Sequence, residues 1–279
     1  MKVLMFSTDS SILTPGSDSR ERMRAYSSIV EQLHVIILNK VPERILVQNN
    51  DKDSSSIRIG RHLVFHPTNS FIKTSAFFDA LKIGSRILPS KVLARKQWLI
   101  TAQNPFAVGL CAFVLAKMRG IALEIQLHTD IESGFFIKES FVNMARAVTA
   151  RFLLPHVDGV RVVSERLAKP LRARAKKSPE ILSVFVDVAS LRAQPPTADI
   201  KKKYPQFDFL VLGVSRLSLE KNIPTSLRSL AEIVKKYPKT GLIVVGDGPE
   251  RKNLELQATS YKLQAKVIFE GWQDDLVSY

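Results

Sequence analysis

Arg216 and Lys221 stand five positions apart in GVSRLSLEKN, the stretch 213–222 that follows an apolar run. A loop holding that pair between a strand and a helix can clamp a diphosphate, with arginine as a planar fork and lysine as a mobile point charge; a solvated surface loop is the competing reading. Gly246, in the GDGP turn 246–249 after the next apolar run, is a weaker candidate, because a tight turn into a helix already explains its glycines. Near the start of the chain, STDSSILTPGS at 7–17 places small residues and Gly16 ahead of a helix start near Asp18 or Ser19. Unpaired amides at a helix start suit an anion, and Gly16 lets the backbone come close to it. Neither G-x-G-x-x-G nor a Walker lysine accompanies that loop.

His128 directly follows the strand-like run 123–127, which puts it at the carboxyl edge of a sheet, where open α/β folds bind ligands. The competing reading is a histidine that caps the next helix together with Thr129 or Asp130, and Asp130 is itself a weaker site candidate. His34, His62, His66 and His156 have weaker placement. Cys111 is the one cysteine, which excludes a disulfide framework and any multi-cysteine metal site. It lies in an apolar stretch and reads as a small core residue. No Asp-x-Asp pair in a suitable loop contradicts the expectation, which comes with the resemblance given below, that no metal and no cofactor are used.

Positioning these groups requires a scaffold, and the sequence supplies one. Short apolar runs at 3–6, 35–39, 63–66, 98–101, 123–127, 159–163 and 181–184 read as strands, most of them buried on both faces. Between them 20–33, 74–88, 106–119, 139–154 and 165–175 show apolar residues three and four apart, the spacing of crossover helices. The alternation predicts an α/β fold with parallel sheets. A second series follows, with strands at 209–214, 242–245 and 267–269 around helices at 224–236 and 250–261. We therefore expect a Rossmann-like domain over 1–190, a linker over 191–206 where paired prolines and a lysine triplet occur, and a second Rossmann-like domain over 207–279 that stops after three strands.

The 279 residues are 45% hydrophobic and 24% charged, which describes a globular chain and argues against a fibre or a disordered tail. The formal charge of +15, mostly carried before residue 200, favours a polyanionic partner. The first residues are too short an apolar run for a signal peptide, and 97–116 is broken by Asn104-Pro105, so a cytoplasmic chain without a membrane span is expected. The stretch 74–96 mixes Phe77, Phe78, Leu81 and Ile87 with Lys82, Arg86, Lys91, Arg95 and Lys96. That is the composition of an interfacial helix at anionic lipid, and also of a crossover helix with its apolar side on the sheet. No interleaved basic and aromatic platform or recognition-helix signature suggests nucleic acid.

GVSRLSLEKN, then LIVVGDGPERKNLE, then VIFEGW resemble, in that order, the first half of the C-terminal domain of glycosyltransferase family 4, the retaining GT-B glycosyltransferases. The N-terminal part resembles that family's acceptor domain through the loop around Gly16, the strand-end His128 and VVS at 162–164; at 183–192 SVFVDVASLR stands where members often have an Asn-Gly-Val-Asp turn. The resemblance implies two facing Rossmann-like domains, the second incomplete here. It implies transfer of a sugar from a nucleotide diphosphate sugar to a glycan or lipid-linked acceptor, of the kind used in cell-envelope polysaccharide synthesis, at the cytoplasmic side and peripherally at the inner membrane face. Carried over by position, Arg216 and Lys221 would bind the donor diphosphate, Gly16 would approach the same phosphates, and His128 would contact the donor sugar near the reacting centre as the catalytic residue. The family's paired glutamates, with seven residues between them, would lie beyond Tyr279; Glu220, Glu250 and Glu255 do not supply that spacing. The 279 residues alone are accordingly expected to be a truncated and inactive piece. A GT-B sugar-nucleotide epimerase and a non-catalytic remnant binding anionic membrane are the alternatives.

Overall fold

The computed structural model describes residues 1–39, 56–70, 72–90, 96–184, 186 and 188–279. Lys91, Arg95 and the turn residues Phe185 and Asp187 therefore lie outside the described residues. Packing divides the chain into two units, Met1–Val184 and Phe185–Tyr279.

Among the described residues the N-terminal unit has eight strands: β1 Lys2–Ser7, β2 Gln32–Ile37, β3 Ile57–Ile59, β4 Leu63–Pro67, β5 Trp98–Ala102, β6 Ala122–Leu127, β7 Gly159–Val162 and β8 Glu180–Ile181. Their order in the sheet is β3-β4-β2-β1-β5-β6-β7-β8, parallel throughout except for β3, which pairs antiparallel with β4. Helices α1 Asp18–Ser28, α2 Lys73–Ile87, α3 Ala107–Arg119, α4 Gly134–Glu139, α5 Phe141–Leu153 and α6 Glu165–Leu171 connect them. Chain order runs outward from β1 through β2 to β4 and then returns to β5 on its other side. The gap between the carboxyl ends of β1 and β5 is thus the topological switch point, where a crevice forms in such sheets.

Alternation in the strands explains the two cores. Leu4, Phe6, Ile100, Ile125, Leu127 and Val162 face α3 and α5 in one core, and Val3, Met5, Val35, Ile37 and Phe65 meet Met23 of α1 and Ile12 and Leu13 in the other. Not all strands are buried as apolar slabs on both faces, as expected from their runs. On the second face β5, β6 and β7 carry Thr101, Glu124, Gln126 and Arg161, tied into a ladder: Gln126 Nε2 donates to Thr101 Oγ1 at 3.0 Å, Thr101 Oγ1 donates to Glu124 Oε1 at 3.2 Å, and Arg161 Nε lies 4.0 Å from that oxygen. Polar groups are kept there because they satisfy one another.

Local chemistry moves several boundaries. The helix expected over 20–33 ends at Ser28, where Ser27 and Ser28 bond back to the carbonyls of Arg24 and Ala25, and β2 already begins at Gln32. The helix expected over 139–154 is split at Ser140, whose extended backbone and hydroxyl cap α5 through the amide of Asn143. The strand expected over 181–184 is only Glu180–Ile181, with exposed residues after it. The apolar side of α2 packs on the sheet through Phe77, Leu81, Ile83 and Ile87, leaving Phe78 outside.

The C-terminal unit holds the short helices α7 Val188–Ala193 and α8 Ile200–Lys203, a parallel sheet β11-β10-β9 of β9 Phe209–Val214, β10 Thr240–Val245 and β11 Val267–Gly271, and the crossover helices α9 Ile223–Lys236 and α10 Arg251–Ser260. Every residue of β10 is buried. Leu227 and Leu230 of α9 and Leu254 and Ala258 of α10 cover one face of the sheet, as the helical spacing predicts. By contrast β9 is an edge strand, with Phe209 65% exposed.

Candidate functional site

In the N-terminal unit the loop after β1 is held by side chains rather than left free. Asp9 Oδ1 accepts from the amide and hydroxyl of Ser11 at 2.9 and 2.6 Å, and Oδ2 accepts from Ser19 Oγ at 2.7 Å. Burial pushes this carboxyl up, but the bonds from Ser11 and Ser19 outweigh it and hold the pKa below the usual range, so Asp9 is ionised. Arg20, which is buried, donates from Nη1 to the carbonyl of Leu13 at 3.1 Å, and Ser17 caps α1 through the amide of Arg20. Between these pins Gly16 sits exposed at φ +75, a left-handed conformation, with nothing within 4 Å of where a Cβ would be. The conformation, not crowding, is what asks for glycine here.

His128 lies at the carboxyl end of β6 and lines a cavity of about 330 Å³ at the switch point, together with Asp9, Ser19, Arg22, Tyr26, Gln103 and Arg161. Burial, then Arg161, then Arg22 lower its pKa, so the imidazole is neutral at pH 7 and can donate through one nitrogen while accepting through the other. The strand-end placement expected for His128 is thus found, and so is a cavity beside it. Asp130 is placed differently. Its Oδ2 accepts from Arg166 Nη2 at 2.9 Å and its Oδ1 from the amide of Glu132 at 3.2 Å, so it fastens the loop after β6 to α6. It does not line the cavity.

Arg22, Gln103, Gln126 and Arg161 are cavity residues that the motifs did not single out. For Gln103, Gln126 and Arg161 a signal was present as polar residues alternating with apolar ones in ITAQ and EIQLH and as Arg161 within GVRVV, where a strand buried on both faces has no place for them; Arg22, on a helix, left none.

In the C-terminal unit the turn after β10 fixes the loop after β9. Gly246 has φ +123, and a Cβ on it would come within 2.0 Å of the Ser215 carbonyl oxygen, so no other residue fits. Ser215 N donates to the Val245 carbonyl at 3.0 Å, Leu217 N to Asp247 O at 3.0 Å, and Glu250 N to Leu217 O at 3.0 Å. Those bonds bracket Arg216. Its guanidinium is exposed and lies 3.6 Å from Glu220 across one turn, while Lys221 ends the short 3-10 turn Leu219–Lys221. The carboxyl edge of this parallel sheet therefore presents both cations from one backbone-braced loop. Gly246 acts there as a spacer for that loop.

Residues 197–279 match the family Glycosyl transferases group 1. The fold of the chain is of the GT-B type with Rossmann-like units. Among proteins of similar sequence, the alpha-monoglucosyldiacylglycerol synthase of Streptococcus pneumoniae is 29% identical over 187 residues, 62% of this chain and 42% of that protein. The lipopolysaccharide core biosynthesis glycosyltransferase LpsD of Rhizobium meliloti is 31% identical over 98 residues, 35% of this chain and 27% of that protein. The chain thus matches less than half the length of these relatives. Among solved structures, Anabaena Alr3699/HepE in complex with UDP superposes with a TM-score of 0.63 at 19% identity, covering 100% of this chain and 71% of that one. The sucrose-phosphate synthase of Thermosynechococcus elongatus gives 0.64 at 16% identity, covering 99% and 71%.

Proposed function

We propose that the protein is a retaining glycosyltransferase that takes a sugar from a nucleotide diphosphate sugar and passes it to a glycan or lipid-linked acceptor. The observation that carries the reading is the loop of Arg216 and Lys221, braced by the Gly246 turn at the carboxyl edge of the C-terminal sheet. Two cations on that braced loop can neutralise the charge that develops on a departing diphosphate, so no metal is called for. Within the N-terminal unit, Gly16 and the start of α1 offer amides to an anion, and neutral His128 offers hydrogen bonds to a sugar hydroxyl at the end of β6. The names of the relatives support this reading, as does UDP in the HepE structure. For the 279 residues by themselves we propose nucleotide diphosphate binding with little transfer, because no glutamate pair of the family's spacing occurs in the C-terminal unit.

We place the protein at the cytoplasmic face of a membrane, peripherally. No helix among the described residues is long and apolar enough to cross one. The surface that suits anionic lipid is α5 rather than α2: Phe141, Val142, Met144, Val148 and Phe152 are all exposed, Phe141 by 87%, with the cations Lys138 and Arg146 beside them.

A calorimetric titration with UDP and GDP tests the donor site. Binding of one of them, weakened about tenfold or more by Arg216→Ala, is the expected result. Equal affinity of the variant and the parent removes Arg216 from the site.

A further inference from the structure

We propose that the cavity beside His128 receives an acceptor sugar that carries an anionic group, a carboxylate or a phosphate, and that Arg22 and Arg161 are the residues that select it. This rests on the glycosyltransferase reading, since only then is the cavity an acceptor site.

The charges that line this cavity are unequal. Arg22 and Arg161 contribute two guanidiniums and Asp9 one carboxylate, whose oxygens already accept three hydrogen bonds from Ser11 and Ser19. Arg161 is only 21% exposed, and its nearest carboxylate, Glu124, is 4.0 Å away and shared with Thr101. Arg22 rises from α1 on the opposite wall, where the contact of its Nη2 with Ser19 Oγ is long at 3.5 Å. A half-buried guanidinium with so loose a counter-ion is costly unless something else completes it. An oxyanion between the two arginines would do so, because carboxylates and phosphates match the planar fork of arginine.

The rest of the lining is chemistry for hydroxyls. Gln103, Asn104, Gln126 and His128 offer amide and imidazole groups, and Tyr26 offers a ring at the rim. Their arrangement on strand ends, with Gln103 fixed by the hydroxyl of Ser7 and Gln126 by Thr101, gives a rigid wall. A volume of about 330 Å³ suits one sugar residue with a charged substituent, at the lower end of small-ligand pockets. Burial first, and then the two arginines, keep His128 neutral, so the positive field on the bound anion comes from groups that do not titrate near pH 7.

Glucuronate, glucose 6-phosphate, inorganic phosphate and glucose are the probes, titrated into the whole protein with UDP affinity measured in parallel. Expected is binding of glucuronate or glucose 6-phosphate about tenfold or more tighter than glucose, and tighter than inorganic phosphate. The better of the first two tells whether the group is a carboxylate or a phosphate. Arg22→Gln and Arg161→Gln should each reduce that sugar to the affinity of glucose and leave UDP binding unchanged. The inference is overturned if the charged sugars bind no better than glucose, if phosphate alone binds as well as its sugar ester, or if Arg22→Gln weakens UDP, which would assign the arginines to the donor. Arg22 is exposed on α1, so its variant keeps the test decisive should Arg161→Gln unfold. Failure of the parent to bind any nucleotide diphosphate would instead strike the donor assignment.

Discussion

Nδ1 of His34 on β2 lies 3.0 Å from Nε2 of His66 on β4, with the two rings stacked at an interplanar angle of 14°. One of these nitrogens must carry the hydrogen and the other must be a lone pair, so the bond survives one proton added to the far nitrogen of the donor ring but not protonation of both rings. Burial, then His34, then Arg58 hold His66 down to about 4, and burial, Arg58 and Lys2 lower His34. An imidazole of the unfolded chain titrates near 6.5, so between there and about 4 the unfolded state binds more protons than the folded one. The stability present above pH 6.5 is therefore lost as the pH falls toward 4, by up to about 3 kcal/mol from His66. Urea unfolding between pH 4 and 8 checks this, and His66→Gln should flatten the acid limb; the same slope in the variant would refute the assignment.

Gly246→Ala should be among the more damaging single substitutions in the C-terminal unit. It forces a side chain into the Ser215 carbonyl and into a left-handed backbone, which costs about 1–3 kcal/mol or more, and it shifts the loop that carries Arg216. Thermal unfolding should fall and UDP affinity should fall with it. Retained UDP affinity in a destabilised variant would separate the brace from the binding loop.

The histidine at the end of β6 can be followed without turnover. Removing Arg161 takes away one of the two cations that lower the His128 pKa, so Arg161→Gln should raise it toward 6.5 in a proton NMR titration of the imidazole. No change would mean that Arg161 does not set it and that burial and Arg22 do.

Cys111 packs in the first core, is fully buried, and has its thiol pushed up to about 12 by burial. Ellman's reagent should leave it unlabelled in the native protein and modify it at the rate of unfolding. Rapid labelling under native conditions would contradict the packing of α3 against Phe77.

How much of this was readable from residues differs by region. The strand-end position of His128 and the loop of Arg216 and Lys221 were legible because βα loops follow apolar runs, and the run locates the sheet edge. Asp130 stood as a weaker site candidate, but its ion pair with Arg166 is made 36 residues away and no local pattern records it. The cavity was hidden for the same reason: Arg22 and Arg161 line it together only once α1, β6 and β7 are assembled. The apolar outer stripe of α5 has the same periodicity as a buried one, so spacing alone assigned amphipathicity and not which side faces outward. In α2 that ambiguity resolved the other way.

The loop between β1 and α1 is already fastened by Asp9, Ser17 and Arg20 before any ligand arrives. A partner arriving there meets a surface whose shape is set, so little ordering entropy opposes capture and association should proceed at the pace of collision and steering by the surrounding positive field. Mixing experiments over a range of ionic strength should show a single concentration-dependent phase that slows as salt is added.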